Sequence, residues 1–233
     1  STGGSAALAG ALLLGSRTGR FDSKGTPKAL QPFAASSIPL VTLGVFVLWL
    51  GWFGFNGGSQ LALGSFTDAV AISTIFINTN LAACGGVLVA AVIPRLMTGK
   101  TDVVMMLNGA IGGLVAITAE PLAPSPLAAI LIGGVGGLIV VLGTKLLFSL
   151  KIDDVVGAIP AHLFAGIWGT LAVPLTNPDA SFGAQLTGVL AVNIFVFVVA
   201  LIIWGIMKNT VGIRLSKEAE RLGTDVAETG VIA

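Results

Sequence analysis

"IDDVVGAIPAHLFAGIWGT", residues 152–170, holds the single histidine of the chain, His162, in an otherwise apolar run. Asp153 and Asp154 open the stretch, and an aspartate ahead of an apolar run is a natural helix N-cap that also complements the helix dipole. Both are read as caps at the cytoplasmic end of a helix. His162 follows Asp153 by nine residues, which at about 1.5 Å per residue is ~13 Å along the axis. The hydrocarbon core of a bilayer is about 30 Å thick. If the stretch crosses a membrane, the imidazole therefore lies near mid-depth, and whether it does so decides the fold.

Composition answers that question. Of 233 residues, 55% are hydrophobic and 10% are charged, and the mean hydropathy is +0.97. A soluble domain carries about 25% charged residues, so this chain is built for lipid. The formal net charge of +1 offers no clustered basic surface for nucleic acid. The lone Cys84, in "TNLAACGGVLVAAV", can form no internal disulfide and reads as a small buried filler. The 32 glycines are spread through apolar stretches, the mark of membrane helices packed backbone to backbone.

A span needs about 20 mainly apolar residues. Spans are expected at 1–15 (partial), 37–63, 69–94, 102–119, 126–149, 154–175 and 183–207, followed by a polar tail from 209 to 233. The opening "STGGSAALAGALLLG" has no positively charged stretch ahead of it and is not a secretory signal. It reads as the back half of a helix, and the chain as part of a longer protein.

Charge tests this parse. Arg17, Arg20, Lys24 and Lys28 follow the first span; Arg95 and Lys100 follow the third. Lys145 and Lys151 flank the fifth break, and Lys208, Arg214, Lys217 and Arg221 follow the last span, which accounts for all 12 basic residues. The alternate loops hold only Asp68, Glu120 and Asp179. The positive-inside rule puts the basic loops and the tail in the cytoplasm. The chain is thus an all-α, polytopic transmembrane bundle with residues 1–208 in the membrane domain.

Ionisable residues at mid-depth usually face a bundle interior or a solute pathway. His162 is therefore a candidate pore residue, the alternative being a bond to a neighbouring helix's carbonyl that merely holds the bundle together. In "GWFGFNGGS", residues 51–59, a helical repeat of 100° sets Trp52, Phe55, Asn56 and Ser59 on one face. Two aromatic rings and a hydroxyl suit a small cation, whose charge is drawn to π-faces and whose protons the oxygen accepts. Aromatic packing without a ligand is the alternative.

"GWFGFNGGS", "NTNLAA", "GAIGGLVAIT" and "IDDVVGAIPAHLFAGIWGT", in this order, resemble the second half of the ammonium transporter family (Amt/Mep/Rh). The resemblance continues into the tail, where "VGIRLSKEAERLGTD" is similar to the family's pattern. It implies an eleven-span fold of two inverted five-span repeats and a final helix, assembled as a homotrimer with one pore per subunit. This chain would hold the end of the fifth span through the eleventh. By motif, His162 matches one of the family's twin pore histidines, the other standing just ahead of Ser1. Trp52 matches a pore-lining tryptophan, Phe55 one ring of the outer gate, and Ser59 a hydroxyl of the external recruitment site. The function implied is ammonium transport, with no enzymatic activity, catalytic residue, metal or cofactor. An ammonium sensor on the same fold is the second reading. The family commonly has glycine after the pore histidine, where this chain has Leu163. The tail here runs "GTD" and "ETG", departures that weigh against docking of a PII-type signalling protein.

Overall fold

Residues 1–21 and 33–231 are described by a computed structural model of the chain. Lys24 and Lys28, assigned above to a cytoplasmic loop, lie outside the described residues. Seven helical segments take up the seven apolar runs: α1 (Thr2–Leu14), α2 (Ile38–Gly58), α3 (Phe66–Thr98), α4 (Val103–Ile117), α5 (Pro126–Ser149), a composite segment over Ile159–Leu175, and α7 (Phe182–Thr210). The composite segment opens with a π-helical turn (Ile159–Phe164), continues as α6 (Ala165–Ala172) and closes in a 3-10 turn (Val173–Leu175). Two short helices, α8 (Lys217–Leu222) and α9 (Thr224–Thr229), follow in the polar tail.

The starts of these helices follow local chemistry. Ser37, Ser65, Asp102, Ser125 and Ser181 each accept a hydrogen bond from the backbone N–H three residues on. At α3 the cap is reciprocal, since the Asp68 carboxylate also accepts from the Ser65 N–H at 3.1 Å. Gly99 closes α3 in the left-handed conformation, with φ of 76°.

Among the described residues, α2, α3, α5 and α7 are long and apolar enough to cross a membrane unaided. The expected span at 102–119 is shorter, a helix of 15 residues, or about 22 Å. Its length is explained by enclosure: every residue from Gly109 to Ile117 is buried against protein, so this half of the helix does not meet lipid.

Glycine contacts hold α3, α4 and α5 together. A Cβ on Gly86 of α3 would strike the Gly109 carbonyl of α4, and one on Gly137 of α5 would strike the Gly86 carbonyl. Lipid tails are as apolar as leucine, so close backbone packing rather than hydrophobic exclusion drives such crossings. α1 lies along α7, where Ser5 donates to Asn193 at 2.7 Å and Gly10 packs on the Trp204 indole. α2 and α7 leave most of their surface uncovered. Buried Asn78 donates to the carbonyls of Pro121 and Pro124 at 3.0 and 2.8 Å, pinning the turn between α4 and α5.

The described basic residues gather at one end of the bundle. There Lys208 donates to the Leu13 carbonyl at 2.7 Å, Arg214 donates to the Leu14 and Ser16 carbonyls, and Arg17 reaches Asp153. Glu120, bonded by Asn177 at 3.0 Å, closes the opposite end of α4.

Candidate functional site

The segment bearing His162 is wedged between three helices. Gly143 of α5 admits Pro160 and Phe164: a Cβ there would sit 2.8 Å from Pro160 Cβ and 2.7 Å from Phe164 Cδ2. Gly4 of α1 admits the backbone of Leu163, and Gly169 of α6 rests on the backbone of α4 at Ala116. Pro160 offers no N–H to the helical ladder, and the turn around it takes the wider π form, one often found at functional sites.

The two adjacent aspartates divide their work. Asp154 gathers the N–H groups of Gly157 and Ala158, each at 3.0 Å, and of Ile159 at 2.7 Å, and so caps the turn that leads to His162. Asp153 does not cap this helix, a correction to the sequence reading. Its oxygens accept from Arg17 Nε and Nη2, both at 2.8 Å, and from the Arg17 backbone N–H at 2.9 Å, while Arg20 Nε stands 3.4 Å away. Burial pushes the Asp153 carboxyl up, but the Arg17 hydrogen bonds and the two guanidinium charges together hold it below its ordinary value. A pair of cations 136 residues away in sequence outcompetes a local N-cap role that its neighbour already fills.

His162 is half-buried and lines a cavity of about 750 Å³. Val45 of α2, Ile111 of α4 and Ala161 form apolar parts of its wall, and Arg20, Asp102 and Asp154 stand at its basic end. No described residue hydrogen-bonds the imidazole, so the carbonyl partner required by the bundle-holding alternative is absent among them. Ser1 lies one turn further along: its backbone nitrogen is 2.7 Å from where a Cβ on Gly166 would stand.

The expected face of α2 splits in two. Asn56 is buried and donates to Thr79 of α3 at 2.9 Å. Trp52 is half-buried, packs on the cluster containing Val45, Ile111, Leu114 and Ala161, and donates its indole N–H to Thr118 at 2.8 Å. Phe55 is exposed and meets Trp52 edge to face, with ring centres 5.6 Å apart and planes at 60°. Ser59 is exposed at the end of α2 and donates to the Phe55 carbonyl at 3.3 Å. Trp52 thus shares a packing cluster with the His162 segment, whereas Ser59 stands about 10 Å further along α2 and is not brought to the histidine. Thr118 was missed as a partner, although it ends the quoted motif "GAIGGLVAIT". Among the described residues no three His, Cys, Asp or Glu side chains gather where they could hold a metal.

At the basic end the tail closes on the segment after α1. Glu220 of α8 accepts from the Thr18 N–H at 2.6 Å, from the Thr18 hydroxyl at 2.9 Å and from Arg214 at 3.0 Å. Arg20, 5% exposed, lies 4.7 Å from the Phe148 ring centre and 5.2 Å from that of Phe33.

The sequence profile of the Ammonium Transporter Family matches residues 1–233. The chain belongs to the ammonium transporter family. Ammonium transporter Amt2 of Archaeoglobus fulgidus is 40% identical over 252 residues, covering 99% of this chain and 52% of the relative. Ammonium transporter 1 member 1 of Arabidopsis thaliana is 33% identical, with 99% and 52% covered. Among solved structures, one described as a Sensor Amt Protein superposes with a TM-score of 0.90 at 31% identity, over 98% of this chain and 57% of its own. Candida albicans Mep2 gives 0.82 at 30% identity, over 98% and 53%. The fold is the all-helical membrane bundle of the Amt and Mep proteins, and the chain spans about half the length of the curated relatives it matches.

Proposed function

We propose that this chain forms part of a conduit for ammonium and ammonia, with Ser59 and the Phe55 ring at the entrance and Trp52 and His162 lining the apolar passage. The observation that carries the reading is His162 itself: in a membrane bundle of the ammonium transporter family, it opens onto a cavity with no bonding partner among the described residues. Ammonium and K⁺ share charge and approximate size, so a filter of charge and size cannot separate them. Ammonium can shed a proton. An apolar passage penalises any ion heavily, while neutral ammonia passes at small cost and the proton travels through histidine, which holds either protonation state near neutral pH.

His162→Gln in the full-length protein tests the reading. An amide of similar size keeps a polar contact but cannot take up and release a proton. The variant should assemble normally yet lose ammonium-driven current, or its discrimination against K⁺, in reconstituted vesicles. His162→Glu should restore part of it, because burial raises a carboxyl's pKa toward neutrality. Wild-type current and selectivity in the Gln variant would overturn the relay.

We further propose a homotrimer in the cell membrane with the basic end, α8, α9 and the whole tail at 209–233 in the cytoplasm. Single cysteines at Thr67 and Thr98 should then react with an impermeant label from opposite sides. The tail departures weigh against a PII-type signalling partner. The likeness to a Sensor Amt Protein favours a second reading, a receptor on the same fold. A receptor predicts ammonium binding without net flux.

A further inference from the structure

We propose that Thr118 is a positioning residue for the cation path: acting through the Trp52 indole, it sets the angle of the aromatic wall that Trp52 and Phe55 present. The inference rests on the reading of that wall as part of the path. Thr118 is half-buried, the C-cap residue directly after α4, and its hydroxyl works in both directions. It donates to the Leu114 carbonyl at 2.7 Å and accepts the Trp52 N–H at 2.8 Å. A hydroxyl has one proton. With that proton committed to its own helix, the oxygen is left facing the indole as an acceptor of fixed direction.

The geometry of the rings makes this consequential. An aromatic ring attracts a cation over its face and repels it at its edge. The 60° between the Trp52 and Phe55 planes therefore decides which surface an approaching cation meets. An indole without its anchor can turn about its side-chain torsions and offer its edge for part of the time. α2 itself does not depend on this single bond. One turn on, Asn56 binds buried Thr79 at 2.9 Å, and Phe53 packs on Phe76 with centres 5.4 Å apart. Loss of the Thr118 hydroxyl should leave the helix docked and free only the ring.

A double-mutant cycle on ammonium-driven current in the full-length protein tests this. Thr118→Val keeps the shape and removes the hydroxyl. It should raise the half-saturating ammonium concentration about two- to tenfold, the worth of one modest hydrogen bond, with maximal current changed less. Thr118→Ser should restore the wild-type value. Trp52→Phe removes the N–H and should cost a similar factor, and the double variant should be no worse than Trp52→Phe alone, since residue 118 acts through the indole. Wild-type half-saturation in Thr118→Val, or costs that add in the double variant, would overturn the proposal. The underlying reading fails separately: if Trp52→Leu and Phe55→Ala both leave half-saturation unchanged, the wall is not on the path.

Discussion

Arg17 and Asp153 meet fork to fork, with two guanidinium nitrogens each 2.8 Å from a carboxylate oxygen. The pair ties the chain after α1 to the residue beside Asp154, and hence to the cap of the His162 turn. Asp153 is 2% exposed and Arg17 33% exposed at the side chain. Asp153→Asn would leave two guanidinium groups facing a neutral amide. Breaking a fully buried pair costs about 3–5 kcal/mol, and the exposure of Arg17 lowers the expectation to about 1–3 kcal/mol. Thermal unfolding in detergent should show the loss, and Asp154→Asn should weaken the π turn without disturbing Arg17.

Acid should loosen the tail before it unfolds the bundle. Bonds from the Thr18 N–H, then from Arg214, hold the Glu220 carboxyl at about 2, below its ordinary 4.5. A carboxyl depressed in the folded state contributes stability above its unfolded value, and loses it as pH falls through the folded one. Protection of α8 amides from hydrogen exchange should therefore be constant above about pH 4.5 and decline toward pH 2. Glu220→Gln should lack that decline and show weak protection throughout.

Adjacent glycines on α5 should differ sharply in their tolerance of a methyl group. A Cβ on Gly133 would come within 2.5 Å of the Ala82 backbone, whereas on Gly134 its nearest neighbour is a Val89 methyl at 3.4 Å. Overpacking against backbone costs about 1–3 kcal/mol, so Gly133→Ala should lower the melting temperature and the yield of assembled protein. Gly134→Ala should be close to neutral in the same assay.

Ser59 spends its one proton on the Phe55 carbonyl, which leaves its oxygen free to accept from an ammonium N–H. A hydrogen bond to a charged group is worth about 1.5–3 kcal/mol. Ser59→Ala should accordingly weaken apparent affinity for methylammonium roughly tenfold or more, with less effect on maximal flux. An unchanged concentration dependence would remove Ser59 from the entrance.

What the sequence made legible was whatever depends on local pattern. The apolar runs and the charge of alternate loops mark seven helices, and the Ser and Asp caps mark several of their starts. Asp154 is visible as a cap because its partners lie within five residues. Asp153 looks the same in sequence, yet its partner is distant in the chain. Trp52 and Asn56 likewise stand out on α2, but their partners Thr118 and Thr79 come from other helices, 66 and 23 residues away. The π turn is no better marked: Pro160 signals a disturbed ladder, and packing against Gly143 selects which disturbance. Contacts between elements are set by the assembled bundle, so single-residue patterns cannot announce them.

The wide turn at Ile159–Phe164 also has a meaning for chain length. A π turn takes in one residue more than an α turn, so this is the point in the bundle with a residue to spare. Removing one codon within α3 or α5 would rotate every later side chain by about 100° and tear the glycine contacts apart. Removing Ala161 should be absorbed by a return to ordinary α-helix, with α6 still seated on α4. The bundle would survive, but His162 would be drawn up onto a regular helical face and its ring re-aimed. On the proposed reading, a folded protein without ammonium-driven current is the expected phenotype of that deletion, which would separate the demands of folding from those of the proposed passage at a single residue.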